Sequence, residues 1–247
     1  MSPTDHFSKQ ASSYAKFRPT YPVALFEVLY QKIKGRKLAW DCATGNGQVA
    51  TELAKEFKQV MATDISEKQL AQAVPLSNIQ YQVMPAESTN FPDHTFDLIT
   101  VAQALHWFNF DSFFQEIHRV LKPNGLFAAW FYTLLKVNKE IDQVISLYYS
   151  QVIGSYWPPQ RKHIDHHYQG IAFPFKHIEK TDFSITFNWS IDQMIGYLNS
   201  WSSTQAYIKA HQKNPIHLIE QELRSVWGDH QQQVSFPIQL ILGQYPS

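Results

Sequence analysis

The sequence predicts an α/β fold in which helices cover a mostly parallel, open sheet. Short apolar segments alternate with helix-like segments as far as residue 132, in the order strand-helix-strand-helix-strand-strand-helix-strand. Parallel strands need crossover connections of this kind, so the alternation favours the class. A glycine turn also follows the first apolar segment directly, at the position where such folds bind ligands. The 247 residues suffice for one domain with insertions and a sizeable core.

The composition restricts both the function classes and the compartment. Lysine plus arginine and aspartate plus glutamate number 21 each, so no basic excess favours a nucleic-acid partner. The single cysteine, Cys42, excludes an intramolecular disulfide and favours a reducing compartment. The sequence has no secretory signal core and no apolar run of membrane-spanning length. We therefore expect a soluble cytoplasmic protein with no membrane partner.

The first elements lead to the glycine turn. Apolar residues recur at helical spacing over residues 23–34, directly after Pro22, and predict a helix there. A short apolar strand then ends at Asp41 and Cys42, and a second helix follows the turn. Backbone N–H groups at such a helix start point outward, where a ligand can approach them.

The glycine turn fits two cofactor classes. Gly45, Gly47 and Ala50 match the dinucleotide pattern G-x-G-x-x-A, and Asp64 lies roughly 20 residues on, where that pattern has a ribose-binding acid. Asp41 helps to separate the classes, because a carboxylate just before the turn would repel a pyrophosphate. The same acid would favour S-adenosylmethionine, whose ammonium and sulfonium groups are cationic. A nucleotide-dependent oxidoreductase is the alternative that the turn leaves open.

Residues 41–47, D-C-A-T-G-N-G, resemble motif I of the class I S-adenosylmethionine-dependent methyltransferases, usually D-x-G-x-G-x-G. Ala43 replaces the first glycine, a departure that should cost little if this position needs only a small side chain. The resemblance implies a Rossmann-like seven-stranded sheet with an antiparallel last strand and a helical lid. It also implies S-adenosyl-L-methionine as cofactor and S-adenosyl-L-homocysteine as product, bound in part by Asp41, Ala43, Gly45 and Gly47.

The second predicted strand, residues 59–64, ends in an acid. Ser66 is the expected N-cap of a helix that continues through Gln72. By the same resemblance, Asp64 accepts hydrogen bonds from two ribose hydroxyls and Ile65 lies against the adenine. Asp64 alone therefore supports an adenosine ligand without separating the two cofactor classes.

A third strand is predicted at residues 79–83 and a buried fourth strand at residues 95–101. The loop between them, residues 84–92, resembles the family motif G/A-D/E-x-x-x-L/F-P. That motif meets the adenine amino group, and its small residue and acid correspond to Ala86 and Glu87.

Residues 96–108 resemble the F-D-L-I/V…A-x-A-x-H-W-F segment of methyltransferases similar to trans-aconitate methyltransferase, also called the type 11 family. This resemblance implies a small-molecule acceptor. It places Gln103 and Ala104 at the cofactor. It places His106 and Trp107 at the acceptor.

The amino-terminal residues 14–22 resemble the lead-in Y-x-x-x-R-P-x-Y-P of the same family. In that family the lead-in, here within residues 4–22, folds over the cofactor. Tyr14 and Arg18 would then lie near its methionine end. The alternative is that these two side chains only pin a terminal segment.

The rest of the chain predicts the remaining strands and two helical insertions. Helical segments are expected at residues 111–121, 137–153 and 190–227, and strands at residues 126–132, 175–187 and 234–242. By resemblance, the last strand inserts antiparallel beside the fifth. The whole chain, 1–247, would form one domain with a core of about 23–134, 173–189 and 229–247 and lid insertions of about 135–172 and 190–228.

The acceptor pocket is the least determined part of the sequence. Carboxylates are the best-known acceptors of the resembled family, and a carboxylate needs a cationic partner but no base. Arg161 is the candidate partner, with Trp107 and Trp157 as pocket walls. If the acceptor is a hydroxyl or an amine, His106 is the candidate base because the ordinary histidine pKa is near neutrality. His106 packed beneath the lid and a non-catalytic binding protein are the alternatives.

Two further patterns argue against other functions. His163 and His167 would lie one turn apart on a helix, but no acid or cysteine cluster completes a metal site there, so we expect no metal. The motif N/D-P-P-Y/F is absent from the sequence, which argues against a nucleic-acid base N-methyltransferase.

Overall fold

A seven-stranded mixed sheet runs through the computed structural model, which describes residues 20–244. The strands are β1 (Leu38–Cys42), β2 (Gln59–Asp64), β3 (Ile79–Val83), β4 (Phe96–Ala102), β5 (Leu121–Tyr132), β6 (His177–Trp189) and β7 (Gln232–Gln244). Their order is β3-β2-β1-β4-β5-β7-β6. The first five pair in parallel, and β7 lies antiparallel between β5 and β6. The predicted Rossmann-like sheet is confirmed.

Helices connect the strands. Those within the described residues are α1 (Val23–Lys32), α2 (Gln48–Leu53), α3 (Glu67–Leu70), α4 (Phe110–Val120), α5 (Lys139–Leu147), α6 (Arg161–Asp165), α7 (Ile191–Asn199), α8 (Ser202–His211) and α9 (Glu220–Trp227). Shorter helical turns cover Leu105–Trp107, Tyr148–Val152, Gly154–Tyr156 and Pro215–Leu218. None of the helices described here has the length and apolar character that crossing a bilayer would require.

Capping side chains determine where two of the helices begin. Ser66 accepts a backbone N–H on Oγ at 3.4 Å and caps α3, as expected, although α3 ends at Leu70 after a single turn. Asn109 accepts a backbone N–H on Oδ1 at 3.1 Å, so α4 begins at Phe110, one residue before the expected start.

The turn after α4 contains a glycine, Gly125, but its left-handed residue is Asn124, with φ of 62°. A Cβ on Gly125 would lie 2.7 Å from Leu121 Cδ1 and 2.9 Å from the Lys122 carbonyl oxygen. Gly125 is therefore needed for space. The pairing between β4 and β5 shifts register across this bulge.

Two apolar layers hold the sheet. Side chains alternate along β1, so Ala39 joins the layer that contains Leu25 of α1, whereas Trp40 joins the layer that contains Phe113 of α4. All four side chains are fully buried. At about 1.5–3 kcal/mol for each large side chain, this packing fixes the carboxyl ends of the parallel strands, where the predicted site residues lie.

Two helical insertions follow β5 and β6 and pack against each other. The first holds α5 and α6, and the second holds α7, α8 and α9. Tyr148 Oη lies 2.8 Å from Thr204 Oγ1, and both residues are fully buried. The Trp157 and Trp201 ring centroids are 5.6 Å apart. These contacts join the insertions to each other, while their role as a lid stays a prediction.

Candidate active site

The glycine turn joins the end of β1 to α2 through left-handed residues. Ala43, Gly45 and Gly47 have φ values of 55°, 58° and 81°. A Cβ on Gly47 would lie 2.4 Å from Tyr81 Oη, so this position needs glycine for space as well as for conformation. The turn thus brings bare backbone to the carboxyl edge of the sheet.

Ala43 stands where the usual motif has its first glycine, and the sequence predicts a small cost only if this position needs no more than a small side chain. In the structure Ala43 also adopts the left-handed conformation that glycine prefers, so that condition is not met. A left-handed conformation costs an ordinary residue roughly 1–2 kcal/mol. The departure from the usual motif therefore carries a conformational cost, which the surrounding structure offsets.

Asp41 holds the turn from behind. Its carboxylate accepts the Ala50 N–H at 3.0 Å and hydrogen bonds from the hydroxyls of Thr100, at 2.9 Å, and Thr44. Only 1% of Asp41 is exposed, and this burial raises the pKa of its carboxyl to about 6. The structure therefore leaves almost no surface for direct ligand contact. Asp41 can act on a cationic ligand through the geometry of the turn and through its field.

Asp64 links the end of β2 to the same turn. One carboxylate oxygen accepts the Gly45 N–H at 2.9 Å, and the other accepts the Ser66 N–H at 2.8 Å. The side chain is half-buried, and the next residue, Ile65, is 40% exposed. The predicted ribose acid and the predicted adenine contact are therefore neighbours of the glycine turn, which the sequence separates from them by about 20 residues.

The loop after β3 brings Ala86 and Glu87 to the same edge of the sheet. Ala86 is buried, and Glu87 Oε1 accepts the Asn109 N–H at 3.1 Å, which ties the loop to the start of α4. Arg119 of α4 also holds the loop by donating to the Phe91 carbonyl oxygen at 2.6 Å. The sequence analysis missed Arg119, because no local motif connects a helix residue to a loop almost 30 positions earlier.

Gln103 and Ala104 follow β4. The Gln103 side-chain oxygen accepts the Tyr132 N–H at 2.9 Å, and its amide nitrogen donates to the Tyr132 carbonyl oxygen at 3.4 Å. The side chain thus extends the pairing of β4 with β5. The Gln103 backbone is left-handed with φ of 55°, and its N–H donates to the Trp130 carbonyl oxygen at 2.8 Å, so a cofactor contact from Gln103 is left mainly to its own carbonyl oxygen. Ala104 precedes the helical turn that carries His106 and Trp107.

These groups fit S-adenosylmethionine. The turn presents backbone without a side chain at Gly47, Asp64 supplies a carboxylate for hydroxyl groups, and Ile65 exposes an apolar surface that an adenine could cover. Asn46 Oδ1 is buried and has no hydrogen-bond partner within residues 20–244, so a ligand N–H could satisfy it. Tyr14 and Arg18, predicted near the methionine end, lie outside the described residues.

A cavity of about 420 Å³ lies beside this edge, between the insertions and the residues that follow β4 and β5. Its lining brings together all four predicted acceptor residues with residues of α7 and α8. The lining residues are Gln103, His106, Trp107, Tyr132, Thr133, Leu134, Tyr156, Trp157, Pro158, Arg161, Tyr197, Trp201, Ser202, Gln205, Ala206 and Lys209. Those from residue 197 onward were missed, because nothing local relates the second insertion to the first.

Arg161 is the best-anchored cation of the cavity. Its Nε donates to Tyr149 Oη at 2.9 Å and lies 3.4 Å from Asp165 Oδ1. The guanidinium also lies over the Tyr149 and Trp157 rings, 5.5 Å and 5.0 Å from their centroids. Its side chain is only 18% exposed. Nη1 and Nη2 have no hydrogen-bond partner among residues 20–244, so the outer fork is available to a ligand.

His106 is the middle residue of the helical turn Leu105–Trp107, which follows β4. The residue is 6% exposed, and its Nδ1 lies 3.2 Å from Tyr168 Oη. Burial, followed by the nearby charges of Arg161 and His163, lowers the pKa of the imidazole to about 3. The ring is therefore neutral near pH 7, and it can exchange a hydrogen bond with a ligand in the cavity.

The two histidines considered as metal ligands do not share a helix face. α6 ends at Asp165, and His167 has a φ of 52°, so the expected one-turn spacing does not exist. The His163 ring packs edge-on against Phe110, and the His167 ring packs edge-on against Phe131. Their contacts are aromatic packing.

This chain resembles a family model and several known proteins that are described as methyltransferases. Residues 40–129 match a family model described as a methyltransferase domain. A Dictyostelium discoideum protein designated a methyltransferase is 37% identical over 96% of this chain and 94% of its own length. The Saccharomyces cerevisiae protein CRG1, designated an S-adenosylmethionine-dependent methyltransferase, is 24% identical over 87% of each chain. A solved structure from Anaeromyxobacter dehalogenans, described as a type II methyltransferase, has a TM-score of 0.85 at 37% identity and covers 94% of this chain and 100% of that one.

These relatives decide between the two cofactor classes that the glycine turn left open. Identity of 37% extends over nearly the whole chain, and the strand order and the acids at the carboxyl ends of β1 and β2 agree with it. The oxidoreductase alternative is therefore set aside, while the narrower resemblance to trans-aconitate methyltransferase stays a prediction. The chain belongs to the class I S-adenosylmethionine-dependent methyltransferases.

Proposed function

We propose that this chain methylates a carboxylate oxygen of a small molecule. The observation that supports this proposal most is the arrangement of Arg161. The Tyr149 hydroxyl holds its Nε, while Nη1 and Nη2 have no partner among the described residues. Two parallel N–H groups on one guanidinium match the two oxygens of a carboxylate.

The chemistry asks little of the chain beyond positioning. S-adenosylmethionine, when bound, supplies a methyl group that its sulfonium makes electrophilic. A carboxylate oxygen is already a nucleophile, so Arg161 needs only to hold it and aim it at that methyl group. Trp107 and Trp157 would keep competing water out as walls of the cavity.

The state of His106 favours an acceptor that arrives ionised. A hydroxyl or a protonated amine would need a base to remove its proton, and general bases work best when their pKa lies near the working pH. Burial and the charges of Arg161 and His163 hold the pKa of His106 at about 3, so it is a weak base. In this proposal His106 binds the acceptor through a hydrogen bond and removes no proton.

The acceptor is small in this proposal because the cavity of about 420 Å³ between the two insertions has the volume of a small-molecule site. The formal net charge of zero supports no polyanionic partner. Because Cys42 is buried and is the only cysteine, a reducing compartment suits the chain, and we place it in the cytoplasm.

Two substitutions test the proposed roles. Arg161→Lys keeps the charge but loses the fork, so kcat/KM for a carboxylic acid should fall at least about tenfold, or about 1.4 kcal/mol. The calorimetric Kd for S-adenosylhomocysteine should stay level, and His106→Ala should lower turnover less. Arg224→Lys, on the surface with Glu220 and Asp192, is the matched control.

The opposite effects of the two substitutions would indicate an acceptor group other than a carboxylate. If His106→Ala abolishes turnover and Arg161→Lys is harmless, the acceptor is a hydroxyl or an amine. If the wild-type protein binds S-adenosylhomocysteine but transfers no labelled methyl to any acid, alcohol or amine offered, the non-catalytic alternative is favoured instead.

A further inference from the structure

The walls of the acceptor cavity are unusually rich in aromatic rings. Six of the lining side chains are aromatic apart from histidine, namely Trp107, Tyr132, Tyr156, Trp157, Tyr197 and Trp201. They come from four different parts of the chain, including the ends of β4 and β5 and both insertions. A ligand that enters this cavity therefore meets flat apolar surfaces over most of its body.

The rings of these walls pack against one another. The Trp201 ring lies 5.6 Å from Trp157, at an interplanar angle of 51°, and 5.7 Å from Tyr197, at 83°. Trp157 also donates from Nε1 to the Tyr149 carbonyl oxygen at 3.2 Å. Rings fixed in this way offer a preformed surface, and binding against it loses little side-chain freedom.

The charges of the cavity are few and unevenly placed. None of the described lining residues is an aspartate or a glutamate, and the two cations are Arg161 and Lys209. Arg161 is deep, with 18% of its side chain exposed, whereas Lys209 is exposed at the rim on α8. A lysine at the rim stays hydrated, so among the described lining residues only Arg161 offers a desolvated partner for an anion.

We infer that the acceptor is a monocarboxylate with a flat, apolar body, held by its carboxylate on Arg161 and by its body against the aromatic walls. This inference rests on the proposed function, whose substrate class it narrows. Among the described lining residues the one largely buried cation is Arg161, so a second carboxylate on the same molecule would have no further buried cation to pair with. That carboxylate would lose water in the cavity without gaining a cation.

The chemical step agrees with this charge balance. The carboxylate oxygen forms a bond to the methyl carbon, and the electron pair of the broken carbon–sulfur bond stays on sulfur, which becomes a neutral thioether. The acceptor anion thereby becomes a neutral methyl ester. The ester has lost the charge that Arg161 binds, so its release follows from the reaction itself.

The test compares two propenoates that share one carboxylate position. Cinnamate carries a phenyl ring, whereas trans-aconitate carries two further carboxylates. Each acid is titrated into the protein saturated with S-adenosylhomocysteine while tryptophan fluorescence is followed. We expect cinnamate to bind at least about tenfold more tightly than trans-aconitate. Equal affinity or a preference for trans-aconitate would overturn the inference, whether or not either acid is turned over.

Methyl transfer separates this inference from the proposed function. If cinnamyl alcohol or cinnamylamine accepts methyl and neither acid does, the carboxylate proposal fails. If trans-aconitate is the better acid acceptor, the carboxylate proposal stands, but the inference that the acceptor has an apolar body is contradicted.

Two variants locate the interaction. Trp107→Leu should weaken cinnamate binding, whereas Trp107→Phe, which keeps a ring, should retain most of it. Equal weakening by both substitutions would show that the aromatic ring of Trp107 does not hold the acceptor. Lys209→Met should leave the ratio of the two affinities unchanged or increase it in favour of cinnamate. A selective loss of trans-aconitate binding in Lys209→Met would reveal a second carboxylate site and contradict the inference.

Discussion

At the scale of single residues, Arg161 shows how a flexible side chain is made into a receptor. Tyr149 contributes both its ring, 5.5 Å from the guanidinium, and its hydroxyl, which accepts from Arg161 Nε and donates to Asp165 Oδ1 at 2.7 Å. Trp157 covers the guanidinium at 5.0 Å. An arginine loses much rotamer freedom when it binds a ligand, so ordering it beforehand lowers the cost of binding.

Tyr149→Phe tests this ordering. The ring stays, but Arg161 Nε loses its shorter hydrogen bond and keeps only the 3.4 Å approach to Asp165 Oδ1. A hydrogen bond to a charged group contributes roughly 1.5–3 kcal/mol. We expect KM for the carboxylate to rise about tenfold, with a smaller change in kcat and none in the Kd of S-adenosylhomocysteine. Tyr30→Phe removes a hydroxyl that donates to the Glu52 carbonyl oxygen, away from the cavity, and serves as the control. The same KM in both variants would mean that the hydroxyl does not orient Arg161.

Asp41 gives a prediction about pH at the same scale. Burial raises the pKa of its carboxyl from 3.8 to about 6, so the folded protein binds this proton more tightly than the unfolded chain. The contribution of Asp41 to stability must then decrease as pH rises from about 4 to about 6, by about 3 kcal/mol. Asp41→Asn does not titrate, so the unfolding free energy of the variant, measured with urea, should rise relative to that of the wild type over that pH interval. A constant difference between the two proteins from pH 4 to pH 7 would contradict the raised pKa.

At the scale of elements, the turn between β1 and α2 is held from three sides. Asp41 of β1 accepts the Ala50 N–H just beyond the turn. Asp64 of β2 accepts the Gly45 N–H, and Tyr81 of β3 lies against Gly47. Neighbouring parallel strands thus shape a single loop, which is why ligands of such sheets bind at their carboxyl ends.

Gly47→Ala tests this packing. The new Cβ would lie 2.4 Å from Tyr81 Oη at a φ of 81°, so both space and backbone conformation oppose it. We expect a loss of about 1–3 kcal/mol in unfolding free energy and a weaker affinity for S-adenosylhomocysteine. In Gly170→Ala the Cβ would meet no atom within 4 Å, and stability should change by less than about 0.5 kcal/mol. Equal stability of the two variants would show that the turn tolerates a side chain.

At the scale of the whole molecule, local signals predicted the sheet and the edge that carries the site. Each strand has its own apolar pattern, and acids such as Asp41 and Asp64 end strands at recognisable spacing, so neighbouring residues contain the information. The cavity walls depend on long-range packing, for example of Tyr148 against Thr204, 56 residues apart. No periodicity predicts such a contact, and the positive φ of Ala43 likewise follows from its surroundings.

The sheet topology also separates the residues that fit the cofactor from those that line the acceptor cavity. The carboxyl ends of β1, β2 and β3 present the groups that fit the cofactor, whereas those of β4 and β5 open toward the aromatic cavity. The insertions after β5 and β6 are joined to each other by buried contacts, so Arg161 of one and Trp201 of the other line a single space. A methyl donor and a methyl acceptor could thus meet beside Gln103 and Ala104.

The most direct measurement of the central claim is the chemistry of the product. The protein is incubated with S-adenosylmethionine labelled in the methyl group and with a carboxylic acid, and the product is treated with mild alkali. Transfer to a carboxylate gives a methyl ester, so alkali should release the label as methanol, and Arg161→Lys should reduce the yield at least about tenfold. A labelled product that resists alkali, as an ether or a methylated amine does, would contradict carboxylate methylation.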